Sequence, residues 1–290
     1  MADTSGMAEI RGIDVVKAIK GFADEALVLR KFVGSAKASA EEIRYYTRGT
    51  GYLDSTDTTA ITASQIKLTS TNSRPVIAEQ NWTRNTSYVK KYFVESPWIR
   101  EEDLKGTDVD VFAGNLQALP LAVENQIESD IYTALSTGTG VQTGAATDEW
   151  DVVGTCNPIL DLLTAEQAIR AYRYKIGKFV LYINSIEYKN LMNYIISVKG
   201  SSIPSLATDV AKSGVLMSLL NFDIVVSENA TSNQALVFAP NICGTWKSFI
   251  PFTTAVIEDK GIGKKIRCWE EGVFLLHDPK TCYLITNTKT

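Results

Sequence analysis

Apolar residues return every three or four positions at Phe112, Leu116, Leu119, Val123, Ile127, Ile131 and Leu135. That spacing predicts one long amphipathic helix over 107–135, whose 29 residues would span about 43 Å. Pro120 lies inside the stripe, where it removes one backbone hydrogen bond and predicts a kink. A break into two helices is the alternative, with Leu119 a poor N-cap for the second. Upstream, 61–68 and 82–94 read as the two strand-like limbs of an extended, Thr-rich arm with a polar tip at 69–74. Trp82, Tyr88, Tyr92, Phe93 and Trp98 line this arm, yet an isolated two-stranded ribbon is marginal in water. It is expected to rest on a neighbouring copy of the chain, with Trp82, Tyr88, Tyr92 and Trp98 as the inter-subunit contacts.

The remaining pattern divides into a helical start and a mixed second half. Residues 8–33 predict an amphipathic helix ended by Gly34, and 40–47 a short helix, because Ser39 and Glu42 have capping-box spacing. The Thr- and Gly-rich stretch 136–147 reads as a loop. Beyond it, 158–172 reads as helix, 179–183 as a buried strand, and Asn184 as the cap of a helix running to about 196. Strands are predicted at 222–226, 235–239, 246–250, 253–258, 265–276 and 281–286.

With 290 residues, 45 % of them hydrophobic, the chain can bury a sizeable core. A net charge of −4 does not advertise a surface for nucleic acid or anionic membrane. No apolar run is long enough to span a bilayer and the start lacks a secretory signal, so a soluble chain made in the cytosol is expected. Cys156, Cys243, Cys268 and Cys282 are widely spaced and read as free thiols in a reducing compartment. Charge is unevenly placed: 106–151 holds eight acids and no Lys or Arg, while basic residues gather at 170–178 and 260–267. Complementary patches meeting between subunits are one reading, and a solvated acidic face beside basic turns is the other.

Catalytic patterns are sparse. His277 is the one histidine, so any triad or zinc site would run through it, and a structural histidine is the simpler reading. Gly138 and Gly140 lie in a stretch without the Lys-Ser/Thr of a P-loop. The 261–265 segment suits a hairpin turn better than a dinucleotide fingerprint. Adjacent carboxylates at Glu101, Glu102 and Asp103 and at Glu270 and Glu271 point to opposite faces of a strand and read as solvated charge. Metal, cofactor and catalytic residues are therefore all expected to be absent.

The order of elements, an N-terminal arm, a long hairpin arm, one long helix and then an α/β domain, resembles the major capsid proteins of tailed double-stranded-DNA phages and related archaeal viruses. Encapsulin shells share that fold. Residues 88–104, Tyr-Val-Lys-Lys-Tyr-Phe-Val-Glu-Ser-Pro-Trp-Ile-Arg-Glu-Glu-Asp-Leu, are similar to the strand descending from the extended loop and the acidic turn before the spine helix. Residues 179–191 resemble the family's strand, cap and helix, with Ser185 where proline is common. Residues 219–227 resemble a segment usually written Gly-x-Pro before its strand, from which Asn221 and Asp223 depart. Residues 271–285 resemble the closing strands.

The resemblance implies an α+β tailed-phage major capsid fold divided into an N-terminal arm at 1–51, an extended hairpin loop at 52–86, a peripheral domain at 87–148 and 252–274, and an axial domain at 149–251 and 275–290. It further implies a virion protein assembled in the host cytoplasm. Pentamers and hexamers of the chain would form an icosahedral shell around double-stranded DNA, with portal and decoration proteins as further partners and no membrane. With about fifty residues ahead of the arm, the scaffold is expected to be separate or absent. Alternatives are an encapsulin-type compartment loading a cargo enzyme and, of another class, a soluble enzyme using His277.

Overall fold

The computed structural model describes residues 28–48, 82–100, 111–152, 154–172, 175–197 and 218–290. The predicted limb at 61–68, the tip at 69–74, most of the helix at 8–33 and the acidic run Glu101, Glu102, Asp103 lie outside them. Three sheets and three long helices make up the described part. A four-stranded sheet has the order β1 (Gly34–Lys37), β10 (Gly244–Asp259), β11 (Gly263–Leu276), β4 (Lys90–Glu95). A six-stranded sheet runs β5 (Gln142–Ala145), β12 (Cys282–Thr286), β9 (Gln234–Phe238), β6 (Phe179–Ile183), β8 (Phe222–Val226), β7 (Ser218–Leu219). β2 (Glu42–Arg48) and β3 (Trp82–Tyr88) form a separate antiparallel ribbon.

β6 explains how the six-stranded sheet is covered. All five of its residues are apolar and buried, as a central strand with a layer on each face requires. Val180 and Tyr182 join the core beneath α1 (Val111–Thr137), whereas Phe179, Leu181 and Ile183 join a second core. That second core also holds Leu162 and Ile169 of α2 (Pro158–Ala171) and Leu191 and Ile195 of α3 (Ser185–Ser197). Both helices start on asparagine caps: Asn157 accepts from Leu160 N at 3.3 Å and Asn184 from Ile186 N at 3.1 Å.

α1 runs unbroken through Pro120, which rules out the two-helix alternative. Its stripe of Leu119, Val123, Ile127, Ile131 and Leu135 is buried and shares one core with Trp246, Ile266 and Cys268 of the four-stranded sheet and with Leu236, Phe238 and Leu284 of the other. The helix thereby ties the two sheets together.

Five expectations change. Residues 42–48 are a strand, not part of a helix; Ile43, Tyr45 and Thr47 alternate with Arg44 and Tyr46, and a full-length partner in β3 outweighs the local capping signal. The described part of the predicted first helix is a 3-10 turn, Leu29–Lys31, leading into β1. The presumed loop 136–147 contains β5, which pairs in parallel with β12. The limb at 82–94 divides at Val89: β3 pairs with β2 while β4 pairs with β11. The strands expected at 246–250 and 253–258 are one strand, β10, with register irregularities between Ser248 and Thr253 around Pro251. A residue without an N–H cannot continue the ladder there.

Candidate assembly surfaces

The β2–β3 ribbon has two unlike faces because opposed residues of an antiparallel pair point the same way. Glu42, Arg44 and Tyr46 stand opposite Tyr88, Thr86 and Arg84, and all six are exposed. Tyr46 is 55 % and Tyr88 65 % accessible. On the inner face Ile43, Tyr45, Thr47, Asn85 and Ser87 are half-buried. Tyr46 escaped notice in the sequence because its segment carried a helix signal. Trp82 opens β3 opposite Arg48; its side chain lies outside the described part of the chain.

Beyond Val89 the alternation continues along β4 and separates the other aromatics. Phe93 points outward, 64 % accessible, with Lys91 Nζ 5.9 Å from its ring. Tyr92 points inward and is buried against Trp246, ring centroids 6.1 Å apart, while its hydroxyl donates to Asp130 Oδ2 at 2.7 Å. Burial first, and then that bond to Asp130, push its phenol far above the ordinary value. Its own subunit thus occupies Tyr92. Trp98 is 40 % accessible beneath Lys265, whose Nζ lies 5.1 Å from the ring.

Among the described residues the basic runs are largely paired within the chain. Lys265 and Arg267 both bind Glu95 and, with the Lys265 hydrogen bond foremost, hold its carboxyl below the usual range. Lys264 pairs with Glu258, Arg170 with Glu166, Lys178 with Asp223, and Lys90 with Asp130. Within the acidic stretch, Glu124 and Glu128 are buried. Glu128 Oε1 accepts from the backbone N–H groups of Val28 and Leu29, capping the 3-10 turn from the middle of α1. Glu270 is also wholly buried, not solvated: Arg30 donates to both its oxygens at 2.7 and 3.0 Å, and Trp246 Nε1 donates at 3.2 Å. Arg30 also lies 5.2 Å from the Trp246 ring.

The groups weighed for chemistry sit in structural settings. All four cysteines are buried and free; burial pushes Cys268 up to about 11 and, together with the neighbouring Cys243 thiol, raises Cys282. Gly261 takes φ 89° in the turn between β10 and β11, the hairpin its sequence suggested. His277 contacts Tyr45, ring centroids 5.9 Å apart at 83°, and its value is lowered by burial and then by Lys247. Among the described residues no group of three His, Cys, Asp or Glu is placed to hold a metal ion, and no helix is long and apolar enough to cross a membrane.

No family model matches the sequence, and no curated protein matches it. Solved structures do match its fold. The capsid structure of cyanophage P-SCSP1u superposes with a TM-score of 0.66 at 9 % identity, covering 91 % of this chain and 89 % of that one. A virus-like particle from Pyrococcus furiosus gives 0.63 at 13 % identity over 94 % and 97 %. The mature capsid of bacteriophage PhiM1 gives 0.61 at 12 % identity over 90 % and 86 %. The chain therefore has the α+β fold of tailed-phage capsid proteins, retained over nearly its whole length.

Proposed function

We propose that this protein is a major capsid protein whose copies assemble into an icosahedral shell around a double-stranded DNA genome. The observation that carries the reading is a fold shared with phage capsids and a virus-like particle across about nine-tenths of both chains. The peripheral domain, 87–148 and 252–274, would hold α1, β4 and the outer parts of β10 and β11. The axial domain, 149–251 and 275–290, would hold α2, α3 and most of the six-stranded sheet, with β5 joining it across the boundary. The ribbon would draw β2 from the N-terminal arm and most of β3 from the extended loop, its last two residues lying in the peripheral domain. Its outer face, with Tyr46 and Tyr88, and the neighbouring Phe93 and Trp98 are the surfaces proposed to meet adjacent copies; Trp82 belongs to the same strand. Tyr92 drops out, since its own subunit buries it.

Function on this reading is geometric: repeated modest contacts close a shell because each subunit makes every contact around the ring. A chain of net charge −4 makes no tight electrostatic grip on phosphate, which suits DNA that must be packed and released. Portal and decoration proteins would be the further partners, with any scaffold a separate protein; the virion is the location, and host cytoplasm the place of assembly. No turnover is assigned to His277. Cryo-electron microscopy of the purified protein tests the reading. Closed shells with nuclease-protected DNA are expected; shells filled with protein cargo would favour a compartment instead, and a small discrete oligomer under every assembly condition would contradict both.

A further inference from the structure

We propose that His277 is a pH-responsive latch on the β2–β3 ribbon: its neutral ring holds the ribbon's inner face against the body, and protonation loosens that hold. The inference concerns the single subunit and stands whether or not shells form. His277 follows the last residue of β11, and its backbone is fixed there: His277 N and Asp278 N both donate to Cys243 O, at 3.0 and 3.1 Å. The imidazole projects from this rigid base to the ribbon, edge-on to Tyr45 at 5.9 Å and 83°. The ribbon's own side-chain bonds, Arg44 to Glu42 at 2.9 Å and Asn85 to Thr47 at 2.8 Å, stay inside it. The histidine contact therefore grips the ribbon from outside.

The surroundings disfavour a second positive charge. Lys247 approaches from β10 and, after burial, is the next influence holding the imidazole below its ordinary value; the Tyr46 backbone opposes both. From β2, Tyr45 supplies no counter-charge, because burial raises its phenol above the ordinary value and keeps it neutral. Asp278, next in the chain, is buried and acts on Cys282. Lys247 stays with the body when the ribbon leaves, so the difference comes from the ribbon itself: its burial of the half-buried imidazole against Tyr45, which offers no counter-charge, outweighs the Tyr46 backbone, and the docked ribbon binds fewer protons than a released one. Docking is strongest above the ordinary imidazole value and is lost as pH falls through it toward the lower, docked value.

Hydrogen exchange followed by mass spectrometry on the full chain tests this, at about pH 7.5 and about pH 5.5, either side of an ordinary imidazole, with rates corrected for intrinsic chemistry. In the wild type, peptides over 42–48 and 82–88 should lose protection at the lower pH while 179–183 and 234–238 hold theirs. In His277→Phe, which keeps a ring without a titrating group, and in His277→Gln, the ratio of ribbon protection between the two pH values should fall to about one. Three results would overturn the proposal: a wild-type ratio equal to that of the variants, an equal loss in the body, or greater ribbon protection at low pH, which would mean that attraction of the imidazolium to Tyr45 dominates.

Discussion

Arg30 reaches across the fold to place its guanidinium fork on Glu270, a carboxylate with no solvent exposure. Removing one partner of such a pair strands a buried charge, which costs about 3–5 kcal/mol. Arg30→Ala should lower stability by about that amount in urea denaturation, and Arg30→Lys should recover only part because an ammonium cannot form the fork. A loss below about 1 kcal/mol would show that water reaches Glu270. Tyr92 and Asp130 make a second residue-scale case. Burial works to raise the Asp130 carboxyl, but hydrogen bonds from Lys90 and Tyr92 outweigh it and leave the value below the ordinary one. That stabilisation is present above the ordinary carboxylate range and is lost as pH falls through the folded value. Tyr92→Phe should therefore move the Asp130 titration upward when followed by NMR, and cost about 1 kcal/mol. None of these roles was legible locally: Glu270 looked like half of a solvated acidic pair because its partner lies 240 positions away.

At the scale of elements, the ribbon and its neighbouring strand present aromatics that their own subunit does not cover. Truncating Tyr46, Tyr88 and Phe93 to Ala should leave the unassembled chain within about 0.5 kcal/mol of wild type per site, as exposed substitutions usually do, while sharply reducing particle yield in sedimentation. Unchanged yield would mean that these faces are not the contacts. β11 offers a contrasting test. A Cβ on Gly272 would lie 2.5 Å from Trp246 Cζ2 and 2.9 Å from Lys247 O, so Gly272→Val should destabilise the subunit itself by about 1–3 kcal/mol, read by thermal melting. Element types were readable where one segment carried its whole signal. β6 and β8 match their predicted bounds, and α2 and α3 agree to within a residue or so. Reading failed at 42–48, where a capping-box spacing competed with a strand partner that local sequence does not reveal.

Among the described residues, α1 joins the four- and six-stranded sheets into one body, and most basic residues of the runs 170–178 and 260–267 are matched by acids of the same chain. Glu95, Glu258, Glu166 and Asp223 pair with five of the described basic residues of those runs within the chain, which weakens the case for charged patches meeting between subunits. Particle yield should change less than about twofold between about 0.05 and 0.5 M salt; a steep fall would restore intersubunit ion pairs to the argument. The sequence by itself determined the long helix, the buried central strand, the asparagine caps and the order of elements that resembles capsid proteins, because periodicity and capping act over a few neighbouring residues. Only the tertiary structure decided that β3 pairs with β2, that Tyr92 turns inward while Phe93 turns outward, that Glu270 is buried beneath Arg30, and that His277 meets Tyr45. Those outcomes depend on strand register and on contacts between distant segments, which no local pattern encodes.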